Sequence, residues 1–115
     1  MGQFYSKVAG VTAKNSDGKE RQNYIYAFCK PRMKLILLRE PENPYDPDAV
    51  AVWIKARALL FFTSEVQIGY LNSDISSEIS QYIENGGRVE AEIKEVTGGT
   101  ESKQSYGVNI LINKH

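Results

Sequence analysis

Cysteine and histidine are almost absent from this 115-residue sequence, which has one of each. The single cysteine, Cys29, cannot form an intramolecular disulfide or a cysteine metal cluster. The single histidine, His115, is the last residue, where it is poorly placed for a metal site or for general-base catalysis. These absences argue against a thiol enzyme, a histidine-based enzyme and a zinc domain, and we expect Cys29 to be a small core residue.

Long apolar runs are also missing. No stretch approaches the ~20 apolar residues that cross a bilayer as a helix. The first residues lack the basic start and apolar core of a signal peptide. The sequence contains no phosphate-binding loop, nucleophile elbow or zinc-ligand spacing. We therefore expect a cytoplasmic protein that is not an enzyme and has no metal or cofactor.

The composition is typical of an ordinary globular domain, with 42% hydrophobic and 24% charged residues. A chain of this length buries about 65% of the surface that its unfolded form exposes. Residues 1–115 are therefore predicted to form a single domain.

The net charge is zero, but the charges are unevenly distributed along the chain. Residues 1–39 hold eight basic and two acidic side chains, whereas residues 40–92 hold three basic and ten acidic ones. Two interpretations are open: the two surfaces neutralise each other in the fold, or the basic third is reserved for a polyanion such as nucleic acid.

Apolar periodicity predicts about six short strands and two short helices. The predicted helices cover residues 19–28 and the segment from Asn72 to the Gly86-Gly87 pair. The predicted strands cover residues 4–13, 33–39, 49–55, 67–71, 88–96 and 106–112, and residues 56–63 are predicted as a further short strand or a hairpin arm. This pattern favours a mostly β (α+β) fold, a small and partly closed antiparallel barrel.

Three of the four prolines lie within seven residues, at positions 41–47 between two apolar strands. Proline fixes its own φ and restricts the residue before it to extended conformations, so this segment is predicted to be a stiff corner. Tyr45 lies in its middle, and Asn43 and Asp46 place an amide and a carboxylate beside the ring. A stiff turn that holds an aromatic ring beside polar groups is a candidate recognition site.

Asp46 and Asp48 are two residues apart. Paired carboxylates can perform acid/base chemistry or hold Mg²⁺, which leaves a small nuclease or hydrolase as a minor alternative. Asx side chains in turns also accept a hydrogen bond from the backbone two residues further on. We favour this structural role for Asp48 and leave both roles open for Asp46.

Seven tyrosines are a high share for a chain of this length. Those on predicted helices are expected at the edge of the core, and those at strand ends or turns are expected to reach solvent. The first group is Tyr24, Tyr26 and Tyr82, and the second is Tyr45, Tyr70 and Tyr106. Exposed rings stack on the bases of single-stranded nucleic acid, and they also serve protein interfaces. The sequence leaves these two uses open.

Several motifs, spread nearly from end to end of the chain, match the pattern of a known family. They are Val8-Ala9-Gly10-Val11, Gly18 with Arg21-Gln22, Leu38-Arg39-Glu40-Pro41, Asn43-Pro44-Tyr45-Asp46, Ala49-Val50-Ala51-Val52, Ile68-Gly69-Tyr70-Leu71, Gly86-Gly87 and Tyr106-Gly107-Val108-Asn109. With these motifs the sequence resembles the HIRAN domain. HIRAN domains occur alone in bacteria and phages, and also attached to chromatin-type ATPases that remodel replication forks.

The resemblance implies an OB-like barrel that captures the free 3′-hydroxyl end of single-stranded DNA in DNA repair or replication. It implies that Tyr45 stacks on the terminal base and that Asn43 and Asp46 contact the end nucleotide and its hydroxyl. Tyr106 matches an aromatic residue that flanks the nucleotide pocket, and Tyr70 is a further candidate. The implied partners are single-stranded DNA and a helicase, another ATPase or a repair protein.

Two departures from the family pattern affect the expected affinity. The end-binding relatives have an arginine and an aromatic residue where this chain has Thr12 and Ala13. They also have a basic residue after the segment that corresponds to Tyr70-Leu71. We expect binding that is weaker by roughly a few kcal/mol.

Nearby basic residues are the candidates to supply the missing charge. Lys14 and Arg21, together with Lys7 and Lys19, are predicted to do so. The alternative function is a protein–protein interaction module that uses the same exposed tyrosine surface.

Overall fold

The structure is a computed structural model that describes residues 2–59 and 62–115. Its helices are α1 (Arg21–Phe28) and α2 (Ser73–Glu84). Its strands are β1 (Gly2–Ala9), β2 (Lys34–Arg39), β3 (Val50–Leu59), β4 (Phe62–Leu71), β5 (Val89–Thr97) and β6 (Gly107–Lys114). In the described part of the chain, neither helix has the length and apolarity needed to span a membrane.

The six strands form a closed barrel in the order β1-β4-β3-β2-β5-β6, and every pairing is antiparallel. The predicted mostly β fold, with two helices and a small antiparallel barrel, is confirmed. The pairing of β6 with β1 completes the ring, so the barrel is closed rather than partly closed. Closure removes the unpaired sheet edges of an open sheet.

Alternate side chains of each strand fill the barrel, as the period of two requires. In β6 the inward residues Val108, Ile110 and Ile112 are buried, as the sequence pattern predicts. Ile25 of α1 and Ile79 of α2 join the same core, so both helices pack on the barrel. This core fixes which residues of each strand point outward.

Two of the predicted strands are parts of longer ones. Residues 56–63 were predicted as a short strand or a hairpin arm, and the second alternative agrees with the structure, where β3 and β4 pair with each other as far as Leu59 and Phe62. Residues 67–71, predicted as a separate short strand, are the end of β4. The pairing of β3 with β4 shifts register between Val52 and Trp53. Such a shift lets the two strands continue through a point where the apolar pattern breaks. Residues 60 and 61 lie outside the described residues.

The first strand is shorter than the sequence predicts. It ends at Ala9 rather than at residue 13, because Gly10 has a φ of 71°, in the left-handed region that glycine adopts without strain. The predicted turn at residues 15–18 is present and closes with a hydrogen bond from the Gly18 N–H to the Asn15 carbonyl. Helix α1 starts at Arg21 rather than at residue 19, because Glu20 has an extended backbone and bridges to Lys14.

Candidate functional site

A cleft of about 530 Å³ lies on the outside of the barrel. Three parts of the chain line it: the end of β1 with the turn that follows and Arg21, the proline-rich corner, and the end of β4 with the start of α2. We call residues 40–49 the corner, and residues 9–13 together with Arg21 the arginine wall. Both line the same cleft.

The corner is held rigid by the side chain of Asn43. Its Oδ1 accepts hydrogen bonds from the backbone N–H groups of Tyr45, at 2.8 Å, and Asp46, at 3.1 Å. Its Nδ2 donates to Oε1 of Glu40, at 2.9 Å. Both polar atoms of Asn43 have partners within the corner, so its side chain positions Tyr45 and Asp46. The predicted contact of Asn43 with an end nucleotide stays a prediction.

Glu40 connects the corner to the barrel. The hydroxyl of Tyr70, on β4, donates to the same Oε1 atom of Glu40 at 2.9 Å. The Glu40 N–H donates to the carbonyl of Ala49, where the chain enters β3. The carboxylate of Glu40 therefore fixes both the corner and the ring of Tyr70. No sequence pattern indicates this role, because Glu40 precedes a proline and is typical of an ordinary turn residue.

Tyr45 and Asp46 keep groups available on the cleft side. Tyr45 is 95% exposed, an unusual state for a large aromatic ring. Oδ1 of Asp46 accepts from the N–H of Asp48 at 2.9 Å, so the turn bond is made by Asp46 rather than by Asp48. A carboxylate has about four acceptor positions, and one such bond leaves capacity to accept a donor from a ligand.

Arg21 is a buried cation in the opposite wall. It is only 7% exposed, although its guanidinium lines the cleft. Its Nε donates to Oδ1 of Asn15 and one terminal nitrogen donates to the Gly10 carbonyl, both at 2.8 Å. The guanidinium carbon lies 5.4 Å from the ring centroid of Tyr70, within range of a cation–π interaction.

The charge of Arg21 is not neutralised by a neighbour. None of the ion pairs found within residues 2–59 and 62–115 includes it. A guanidinium has five N–H donors, and two of them are used by Asn15 and Gly10. Burial of an unpaired charge is costly, so a buried arginine without a carboxylate partner at a cleft is a strong candidate to contact an anion.

The first turn of α2 forms the third side of the cleft. Asn72 caps the helix by accepting from the Asp74 N–H at 3.4 Å. Ser73 and Ser76 line the cleft with Asn72. The start of a helix carries a partial positive charge that favours anions, although Asp74 lies in the same turn. Neither Ser73 nor Ser76 was predicted to belong to the site.

Five of the eight residues predicted for the site line this one cleft. Ala13, which stands where the relatives have an aromatic residue, also lines it. Those five are Asn43, Tyr45, Asp46, Tyr70 and Arg21. The structure thus brings together side chains from four separate segments of the sequence.

Thr12, Lys14 and Tyr106 are not among the residues that line the cleft. Thr12 and Lys14 are exposed in the segment after β1. The ring of Tyr106 packs against Tyr26 at 5.5 Å between centroids, and its N–H donates to Oε1 of Gln22 at 2.6 Å. Tyr26, expected at the edge of the core, is instead 72% exposed.

Gln22 fixes the arginine wall from behind. Its Nε2 donates to the carbonyls of Val11, at 3.0 Å, and Tyr106, at 2.9 Å. With Arg21 bound to Gly10, two consecutive side chains thus hold the chain that follows β1. The Arg21-Gln22 dipeptide is among the segments that resemble the family, and this double anchoring gives it a physical role.

The uneven charge distribution is only partly neutralised within the fold. Two ion pairs join the basic third to the acidic residues that follow: Lys34 with Glu92 at 4.0 Å and Arg39 with Glu84 at 3.4 Å. The ion pairs of the described residues include none of the other six basic side chains of residues 1–39. Most of the basic third is therefore left to face solvent or a ligand.

The described residues contain neither a reactive thiol nor a cluster of metal ligands. Cys29 follows α1 and packs against the core, and burial raises the pKa of its thiol to about 12. Such a thiol is protonated and unreactive at neutral pH. Within the described residues, no group of three or more histidine, cysteine or carboxylate side chains is placed to hold a metal ion.

Comparisons with known proteins agree on one family. The model of the HIRAN domain family matches residues 1–113. The crystal structure of the HIRAN domain of human HLTF is similar, with a TM-score of 0.63 and 15% identity over 98% of this chain and 74% of that one. A structure from Lactobacillus plantarum has the same TM-score and 18% identity, over 99% of this chain and 100% of that one. No curated protein sequence matches.

Proposed function

This chain belongs to the HIRAN domain family, a family of nucleic-acid-binding domains, and we propose that it binds single-stranded DNA by a free 3′-hydroxyl end. The observation that carries the proposal is the position of Tyr45. A 95% exposed ring stands on a rigid corner at the rim of a cleft that also holds a carboxylate and a buried cation.

Tyr45 is the proposed platform for the terminal base. A ring held by a stiff backbone loses little conformational freedom when a base stacks on it, because the corner is already ordered by Asn43 and Glu40. Each stack of a base on an aromatic side chain contributes roughly 1–3 kcal/mol. A duplex offers no free base face, which favours single strands and frayed ends.

Asp46 is the proposed reader of the 3′ end. A carboxylate accepts a hydrogen bond from a free hydroxyl but repels a phosphate, so it selects a strand that stops at this position. Asp46 lines the cleft. Within the described residues its carboxylate accepts one hydrogen bond, from the N–H of Asp48, which leaves acceptor positions free. The carboxylate thus discriminates between a hydroxyl end and a phosphate end by repelling the phosphate.

Arg21 and the start of α2 are the proposed contacts for the phosphate that joins the last two nucleotides. Both favour an anion, and both line the same cleft as Asp46. Arg21 would then supply the charge that the relatives place on the residue corresponding to Thr12. The cleft thus holds an acceptor for the hydroxyl together with donors for the phosphate.

The proposed role is that of a binding module rather than an enzyme. Tyr45, Asp46 and Arg21 provide stacking, hydrogen bonding and charge, and none of these needs a nucleophile or a metal. A module that holds 3′ ends suits DNA repair or replication, where a helicase, another ATPase or a repair protein is the expected partner.

The test is the binding of a labelled single-stranded oligonucleotide with a 3′ hydroxyl, followed by fluorescence anisotropy. Tyr45→Ala is expected to weaken binding by roughly 1–3 kcal/mol, the contribution of one base stack. The free energy of unfolding should stay the same, because the ring makes little contact with the fold.

Tyr26→Ala is the matched control. Tyr26 is also an exposed tyrosine, at 72%, but it lies on α1 outside the cleft. Its replacement should leave the affinity unchanged. Equal affinities of the wild type and Tyr45→Ala would refute the proposal.

A further inference from the structure

A second aromatic and basic surface lies on the outer face of β1, β5 and β6, outside the cleft. Tyr5 is 72% exposed, and it lines a shallow depression of about 500 Å³ together with Lys7 and Lys94. We call these three residues the outer track. Ser6, Glu95 and Asn109 complete the lining.

Strand pairing places these residues side by side. Lys7 of β1 lies opposite Asn109 of β6, and Asn109 lies opposite Glu95 of β5, next to Lys94. Tyr5 is two residues before Lys7, so both side chains point outward on the same face of β1. The outer track therefore spans three neighbouring strands of a rigid barrel.

The outer track is electrically positive. Neither Lys7 nor Lys94 takes part in an ion pair within residues 2–59 and 62–115. The single carboxylate of the depression, Glu95, accepts a hydrogen bond from Nδ2 of Asn109 at 3.1 Å. Two lysines beside an exposed ring are the combination with which single-strand binders hold a phosphate backbone and its bases.

The outer track is continuous with the cleft along β1. Tyr5, Lys7 and Ala9 alternate on the outward face of the strand, and Ala9 lines the cleft. A strand rises by about 3.3 Å per residue, so Tyr5 is roughly 13 Å from Ala9. The outward face of β1 therefore connects the outer track to the cleft.

We propose that the outer track binds the nucleotides that precede the 3′-terminal one in the same DNA strand. Tyr5 stacks on a base, and Lys7 and Lys94 contact phosphates. This inference rests on the proposed function, because the cleft determines where the strand ends. It adds a second binding site of the same chemical class, sequence-independent contacts to a single-stranded backbone.

The experiment compares strand lengths. The probes are a labelled dinucleotide and a strand of about ten nucleotides, a length within the range that OB folds cover. Tyr5→Ala should bind the dinucleotide like the wild type but bind the longer strand about fivefold more weakly, the lower limit for one stack. Changing both Lys7 and Lys94 to Gln should make the affinity for the longer strand less dependent on salt. The slope of the logarithm of the binding constant against the logarithm of the salt concentration should become smaller in magnitude by about 1.4.

Controls of matched exposure lie outside the outer track, on α1 and β3. Tyr26→Ala replaces a tyrosine that is also 72% exposed, and Lys55→Gln replaces an exposed lysine of β3. Neither should change the affinity for either probe. Thermal unfolding checks that all variants keep the fold, which is expected since the outer track is at the surface.

The outcomes separate this inference from the proposed function. Equal binding of the longer strand by the wild type, Tyr5→Ala and the double lysine variant overturns the outer track, even where Tyr45→Ala weakens both probes. Loss of affinity in Tyr5→Ala for the longer strand supports the outer track, even if Tyr45→Ala has no effect and the end-binding proposal fails. If neither tyrosine matters, both proposals are overturned.

Discussion

The two walls of the cleft differ in where they place their polar groups. In the corner, Asn43 and Glu40 bond to their neighbours, and the groups left on the cleft side are the ring of Tyr45 and the carboxylate of Asp46. In the arginine wall the residues at the surface are small, and the one large polar group, Arg21, lies beneath them. We infer that one wall reads the base and the hydroxyl while the other holds the phosphate.

The difference also shows what this chain lacks. A base held between two rings needs an aromatic residue on each wall, and the arginine wall has Ala13 at the position that faces the cleft. The positive charge is present on a different residue, because Arg21, at the start of α1, lines the cleft. Tyr70 is the other aromatic residue that lines the cleft, but its hydroxyl is bonded to Glu40 and its ring lies beside Arg21, so the arginine wall itself offers no second ring.

The largest effect is expected at Arg21. Arg21→Gln removes the cation, so the affinity for the oligonucleotide should fall by about tenfold or more. It also removes the two hydrogen bonds that the charged guanidinium donates, so the free energy of unfolding should fall by about 1–3 kcal/mol. The slope of the logarithm of affinity against the logarithm of salt concentration should decrease by about 0.7, the value for one phosphate contact with a single strand. Arg21→Lys keeps the charge but not the planar fork, and it should retain the salt dependence.

Denaturation and anisotropy at several salt concentrations separate the two contributions. A variant that loses stability but keeps the wild-type affinity and salt slope would show that Arg21 only supports the fold. The contrast between the two walls would then be structural and unrelated to DNA binding.

A smaller effect, in the opposite direction, is expected at Ala13. Ala13→Tyr supplies the missing ring opposite Tyr45, and one stack at the weak end of the known range increases affinity about fivefold. Thr12→Tyr is the matched control, since Thr12 is an exposed neighbour that does not line the cleft. Anisotropy with a 3′-hydroxyl oligonucleotide measures both, and equal effects of the two variants would show that the position of the second ring is irrelevant.

Sequence patterns predicted the barrel because its signals are local. Alternation identifies the inward residues of β5 and β6, and three closely spaced prolines identify the corner. The length of the β3–β4 hairpin depends on strand pairing, with a register shift beside Trp53 that no periodicity shows. The short first strand depends on one backbone angle, at Gly10.

The site was predictable only where a residue acts through its own chemistry. Tyr45 and Asp46 stand out in the sequence because a ring and a carboxylate on a stiff turn suggest recognition. Glu40 did not stand out, because its importance comes from two partners that are 3 and 30 residues away. Tyr106 was placed near the pocket by resemblance, but it packs against Tyr26, a long-range pairing that the sequence does not reveal.

The most direct test of the central claim compares two oligonucleotides that differ only in a 3′ hydroxyl or a 3′ phosphate, with the wild type and Asp46→Asn. Asn keeps the carbonyl oxygen that bonds the Asp48 N–H, so the corner should remain intact while the charge is lost. The wild type should prefer the hydroxyl end by about tenfold, the contribution of one hydrogen bond to a charged group, and Asp46→Asn should lose most of this preference. Equal affinity of the wild type for both ends would contradict the account.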